Sequence, residues 1–126
     1  MKSTVLTGRV RPDGTAWLPV EIIGERIFRL QALVDTGFDD YLSLPGHLRR
    51  QARLRPVGYH LFELADGRVI RARIYLGRIR FAGESLDVPV VLSRSEEAII
   101  GVALFRRRRL TIRYRRRTIL LEPDPE

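Results

Sequence analysis

The apolar positions of this chain come in short runs separated by turn residues, and several runs alternate with polar or charged positions in steps of two. Steps of two put successive side chains on opposite faces of an extended strand. Residues 4 to 11 read as one strand and Ala16 to Ile23 as a second, with turn chemistry at Pro12, Asp13 and Gly14 between them, so a hairpin is predicted. Gly24-Glu25 then turns the chain into "RIFRLQALV", where Ile27, Leu30, Leu33 and Val34 predict a strand that becomes more buried as it approaches Asp35.

Pro45 to Leu54 is the best candidate for a helix, because Pro suits a first helical turn and Leu48, Ala52 and the stem of Arg53 fall on neighbouring faces. Asp66-Gly67 lies between Leu61-Phe62-Leu64 and Val69-Ile70-Ile74, a strong hairpin signal, since both residues tolerate positive φ. Ile70, Ala72, Ile74 and Leu76 alternate with Arg71, Arg73 and Tyr75 as a half-exposed strand, "FAGES" makes a turn, and Val88 to Leu92 forms another strand. A helical turn is expected at Val102 to Phe105, and the tail "LTIRYRRRTILLE" reads as a hairpin around Arg115 to Arg117. The pattern predicts an all-β domain spanning residues 1–126 with one or two short helices.

Composition narrows the chemistry. Cysteine is absent, which removes disulfides, thiol nucleophiles and cysteine metal sites, and His47 and His60 are too isolated for a histidine cluster, so neither a metal nor a cofactor is expected. The first residues lack a signal-peptide core, and no stretch approaches about 18 consecutive apolar residues. The expectation is a cytoplasmic protein with no membrane partner. The net charge is +8, and with Lys2 the single lysine nearly all the cations are arginines, which suit phosphate. Few aromatics accompany them, so nucleic-acid contact is expected only as weak, nonspecific binding.

Neither histidine lies in a triad-like context and no glycine-rich phosphate loop occurs, so the chemistry falls to the acids. In "ALVDTGFDD" an apolar strand runs directly into Asp35-Thr36-Gly37, followed by Asp39 and Asp40. A Gly two residues after an acid permits a tight reversal, and the Thr between them offers a hydroxyl to the turn. Such a loop holds a carboxylate rigidly at a strand end.

"ALVDTGFDDYLSLP", "ELADGRVI" and "AIIGVALF" occur in an order and spacing that resembles the retroviral-type (retropepsin-like) aspartic proteases, in particular their single-domain bacterial relatives, over about residues 20 to 121. The resemblance implies a small closed β-barrel that acts as a homodimeric aspartic endopeptidase on a peptide or protein substrate. It makes Asp35 the catalytic aspartate, Thr36 the residue whose hydroxyl locks the two active-site loops together, Gly37 the point of close approach to substrate backbone, and Gly101 the glycine beneath those loops. Ala65, Asp66 and Gly67 match the flap over the substrate, Asp39 and Asp40 match acids that bind substrate backbone and stabilise the dimer, and Leu33, Leu42 and Ile99 match pocket walls.

The chain departs from that pattern in places. Val102 and Ala103 stand where retroviral enzymes carry Arg and Asn, so Asp39 needs another partner, an Arg elsewhere. The flap has a single Gly and two charges, which implies a shorter or looser closure, and the tail is the counterpart of the family's dimer-forming strands by periodicity alone.

Peptide hydrolysis needs one acid to activate water and another to protonate the leaving amine. The chain has one D-T-G, and Asp13-Gly14 and Asp66-Gly67 lack its strand-loop context, so the second acid has to come from a second copy. The alternatives from other classes are an inactive protease-like dimerisation module and a basic β-barrel that binds nucleic acid.

Overall fold

The structure, a computed structural model, describes residues 4–125. Its strands are β1 (Leu6–Val10), β2 (Ala16–Ile23), β3 (Ile27–Val34), β4 (Leu42–Pro45), β5 (Arg55–Glu63), β6 (Val69–Phe81), β7 (Glu84–Ser93), β8 (Ala98–Ile100), β9 (Arg108–Arg113) and β10 (Thr118–Pro123). They lie in the order β5-β6-β7-β4-β8-β3-β2-β1-β10-β9. One further pairing closes the sheet. The Ala16-Trp17 end of β2 pairs with β1, while its Glu21-Ile22 end pairs with Arg80 and Ile79 of β6. Strands β6, β7, β4, β8, β3 and β2 thereby form a closed six-stranded barrel, and the all-β expectation holds.

Inside the barrel, Leu18, Val20 and Ile22 of β2 meet Ile79 and Phe81 of β6, Val88 and Val90 of β7, Leu42 and Leu44 of β4 and Ile100 of β8, all almost wholly buried. The alternation read from the sequence carries this packing, since each inward residue is followed by an outward one. Strand β6 is longer than predicted. Its partly exposed face of Ile70, Ala72 and Ile74 belongs to a projecting part, and below it Tyr75, Gly77, Ile79 and Phe81 turn to the core.

The predicted hairpins form at their turn residues. Gly14 takes φ +88°, and the Asp13 carboxylate accepts hydrogen bonds from the Thr15 hydroxyl (2.6 Å) and N–H (3.0 Å). The hydroxyl bond leads in holding the Asp13 carboxyl below its ordinary pKa range, and because the side chain is exposed this is a local turn effect. The "FAGES" turn is tight, with Ala82 and Gly83 both at positive φ between paired Phe81 and Glu84.

The helix expected over Pro45 to Leu54 is not there. Pro45 ends β4 beside Ser93, residues Gly46–Leu48 make one 3-10 turn, and irregular turns continue to Arg53, whose φ of 52° stops any helix. Only two backbone bonds of longer reach form, Ala52 N–H to Leu48 (2.8 Å) and Leu54 N–H to Arg49 (3.1 Å). A segment this short lacks the propagation that offsets helix nucleation, so burial of Leu48, Ala52 and Leu54 sets its path instead. The turn expected at Val102–Phe105 is present as a 3-10 turn.

The tail forms the predicted hairpin, with Tyr114–Arg117 between β9 and β10. Strand β10 sits between β1 and β9 of its own chain, so both of its edges are filled. Of the two strands of the tail, β9 is the free edge at this end of the sheet. No helix among the described residues is long and apolar enough to cross a membrane.

Candidate active site

Strand β3 delivers Asp35 to a loop that is fixed from below. The Asp35 N–H donates to the Ile100 carbonyl (3.0 Å), which ties the end of β3 to the end of β8. Beyond it the Gly101 N–H donates to Tyr41 (3.0 Å), Val102 N–H to Phe38 (2.8 Å) and Ala103 N–H to Asp40 (3.2 Å). Backbone bonds of this kind bring residues 35–41 and 100–103 together as one rigid unit, since none depends on a flexible side chain.

Within the loop the Gly37 N–H donates to Asp35 Oδ1 at 2.9 Å, which aims one carboxylate oxygen into the turn. Asp35 is half-buried, and Thr36 and Gly37 are exposed. The other oxygen and the Thr36 hydroxyl stay available to a ligand or a second chain. Among the described residues no group of three or more His, Asp or Glu could hold a metal.

Gly101 is required for space. Its φ of −97° suits any residue, but a Cβ there would sit 2.1 Å from the Asp40 carbonyl and 2.7 Å from both the Phe38 ring and carbonyl. The tight approach lets the loop lie flat on the end of β8.

Leu33 and Ile99 are partners across β3 and β8, half-buried, and Leu33 lies two residues before Asp35 on the same side of the strand. Leu42 pairs instead with Ile100 and is fully buried in the core. In this chain it presents no surface to a peptide, so its role as a pocket wall is corrected to one in the core. Leu42→Ala is expected to cost about 3 kcal/mol of stability, the usual scale for a buried Leu, in chemical denaturation.

The acids differ in surroundings. Asp40 Oδ1 accepts the Tyr41 N–H at 3.0 Å, whereas Asp39 is exposed and no ion pair joins it to an Arg among the described residues. The Arg partner expected for Asp39 does not lie among the described residues of this chain.

Strands β5 and β6 extend past the barrel as a two-stranded arm, with Ala65, Asp66 and Gly67 at its tip. The tip differs from the prediction in one detail: Gly67 alone has positive φ (87°), and its N–H donates to the Leu64 carbonyl at 2.9 Å. Asp66 acts through its side chain, accepting the Arg68 N–H (3.0 Å) and Nε–H (2.6 Å). These bonds brace the tip with acceptor chemistry in place of the flexibility that more glycines would supply.

One feature of the arm was missed. Arg73 donates to the Tyr59 hydroxyl (2.8 Å), and the guanidinium groups of Arg71 and Arg73 lie 4.5 and 5.4 Å from the centre of its ring. The Arg73 hydrogen bond leads in pulling the Tyr59 hydroxyl below its ordinary pKa range. Alternation had shown Arg71 and Arg73 on one side of β6, but nothing local placed Tyr59 across from them. The carbonyls of Phe38, Asp40 and Tyr41 that pin the active loop had no signal at all, because backbone acceptors are common to every residue type.

The closed barrel shares its fold with solved structures of retroviral-type aspartic proteases. The solution structure of simian foamy virus (mac) protease matches with a TM-score of 0.52 and 20% identity, over 69% of this chain and 88% of that one. The foamy viral protease-reverse transcriptase in complex with an RNA/DNA hybrid matches with a TM-score of 0.50 and 16% identity, over 69% of this chain and 11% of that much longer one. No protein-family model and no curated protein sequence matches the chain.

Proposed function

We propose that this chain is an aspartic endopeptidase whose active site forms between two copies, each contributing Asp35. The observation that carries the reading is the Asp35 loop, held by backbone bonds on Ile100–Ala103 in a fold shared with a viral protease. One half-buried carboxylate with a free oxygen is half of an acid pair. A two-fold axis beside the loop supplies the other half from the same residue of the partner.

Further surface features favour such a contact. Val102, next to Gly101, leaves 38% of its surface exposed although it is apolar, and Asp39 has no ion-pair partner among the described residues. A second copy across the Asp35 loops covers the first and offers cations to the second.

Two carboxyls in contact do not both ionise cheaply, so the pair shares one proton, as in aspartic proteases generally. The ionised Asp35 accepts a proton from water as its oxygen attacks the amide carbon, while the protonated Asp35 donates to the carbonyl oxygen. The tetrahedral diol then collapses: the C–N bond breaks, the first acid returns its proton to the leaving amine, and a diol hydroxyl gives its proton to the second acid, so that the singly protonated pair is restored. Leu33 and Ile99 offer apolar surface to substrate side chains, and the arm tipped by Ala65, Asp66 and Gly67 closes over the backbone. Asp40 and Asp39 receive its N–H groups.

Because the pair works only when singly protonated, cleavage of a random peptide library is expected to be bell-shaped in pH, bounded by two macroscopic pKa values of the pair. Mass spectrometry of the products across the pH range checks this. Cleavage that keeps rising into alkali, or none at any pH with dimer present, contradicts the reading.

A further inference from the structure

Away from the Asp35 loop, the outer face of the β1-β10-β9 sheet forms an open trough of about 1170 Å3. Register explains its shape. Arg9 of β1, Thr118 of β10 and Arg113 of β9 are direct neighbours in one row, and Thr7, Leu120 and Thr111 form the next. Directly paired residues share a face, so short side chains make the floor and the two arginines rise from its sides, about 10 Å apart across two strand spacings.

Further arginines line the same trough. Arg116 and Arg117 lie in the turn between β9 and β10, and the Val10 N–H donates to the Arg117 carbonyl (3.0 Å), which fixes that turn against the end of β1. Arg11 stacks on the Trp17 ring at 3.6 Å, so its guanidinium is held over the sheet and not free in solvent. Glu122 is the single acid among the lining residues, and Arg109 already binds it at 3.1 Å. No salt bridge joins Arg9, Arg11, Arg113, Arg116 or Arg117 to an acid among the described residues, although Arg11 acts through space on the Asp13 carboxylate of the neighbouring turn.

We infer that this trough binds the phosphate backbone of a single-stranded nucleic acid. Five permanently charged guanidinium groups with one neutralised acid between them attract a polyanion, and their forked donors match phosphate oxygens. Hydroxyls on the floor extend the donor set. An extended strand fits a channel two strand spacings wide, and no exposed aromatic lines it to read bases, so the binding is through the backbone and independent of sequence. The inference does not depend on the protease reading.

Fluorescence anisotropy of a labelled deoxythymidine 20-mer, titrated with the full chain between about 50 and 300 mM salt, tests it. Neutralising about four phosphates predicts a log–log slope near −3 for a single strand. Arg9→Gln with Arg113→Gln is expected to weaken binding at least about 10-fold near 100 mM salt and to lessen the slope by about 1.4, the loss of two phosphate contacts. Removing equal charge elsewhere, with exposed Arg50→Gln and Arg94→Gln, is expected to change affinity less than about two-fold, because a remote charge acts only through a screened field. Equal weakening by both pairs would reduce the effect to overall charge and overturn the site. Absence of binding at 50 mM salt would overturn it too, and a polyglutamate peptide of equal charge competing as well as the oligonucleotide would reassign the trough to acidic protein. Asp35→Asn protein is expected to bind the oligonucleotide unchanged, which keeps this result separate from any peptidase assay.

Discussion

Asp35→Asn is expected to leave a folded protein whose peptidase activity has fallen by at least about 10³-fold, within the range that positioned acid–base groups contribute. Asn keeps the shape of Asp and retains an oxygen to accept the Gly37 N–H that Asp35 Oδ1 now accepts at 2.9 Å. It neither takes a proton from water nor gives one to the amide. Where two copies meet, the substitution also removes repulsion between the acids, so the dimer is expected to be as stable as the wild type or more so. Activity assays with purified protein, and a dimerisation constant from sedimentation, separate the two effects. An inactive variant that has also unfolded would show that the substitution broke the loop, and not the chemistry alone.

Gly101→Ala is expected to act on the same site from beneath. The added methyl would lie 2.1 Å from the Asp40 carbonyl and 2.7 Å from Phe38, so residues 38–40 must lift by more than 1 Å to clear it. The bonds from Val102 N–H to Phe38 and from Ala103 N–H to Asp40 cannot survive such a lift unchanged. A loss of about 3 kcal/mol, the upper part of the range for overpacking, is expected in denaturant titration. In protein that remains folded, displacement of the Asp35 loop is expected to lower kcat/KM about 10²-fold. Gly46→Ala is the matched control: its methyl would meet only the Ser93 carbonyl at 3.4 Å, an ordinary contact, and little change is expected in either measurement.

Much of this site could be read from local sequence because its signals are local. An apolar strand ending in Asp35, a Gly two residues later, and Asp-Gly or Ala-Gly pairs between alternating runs each specify geometry within a few residues. The hairpins at Asp13-Gly14 and Ala82-Gly83 follow from that chemistry. What was not legible depends on partners far along the chain. Closure of the barrel rests on Glu21 and Ile22 meeting Arg80 and Ile79, and neither strand's own pattern specifies that meeting.

Pro45 illustrates the conflict between local preference and the ladder. It suits the first turn of a helix, yet it ends a strand paired in parallel with β7, opposite Ser93, where a missing N–H costs least. Leu42 matched a pocket wall by resemblance alone, and only its pairing with Ile100 and Val90 reveals that it belongs to the core. The arginines were the opposite case. Their number was plain, but their gathering on one face required the β1-β10-β9 register.

The central claim is that each active site takes Asp35 from two chains, and subunit mixing tests it most directly. Wild type and Asp35→Asn are combined at fixed total concentration, exchange is demonstrated with differently labelled copies, and peptide cleavage is followed against the wild-type fraction. Mixed dimers hold one acid and are expected to be inactive, so activity falls as the square of that fraction. A linear fall with exchange demonstrated would mean that one chain suffices, and would contradict the two-chain active site.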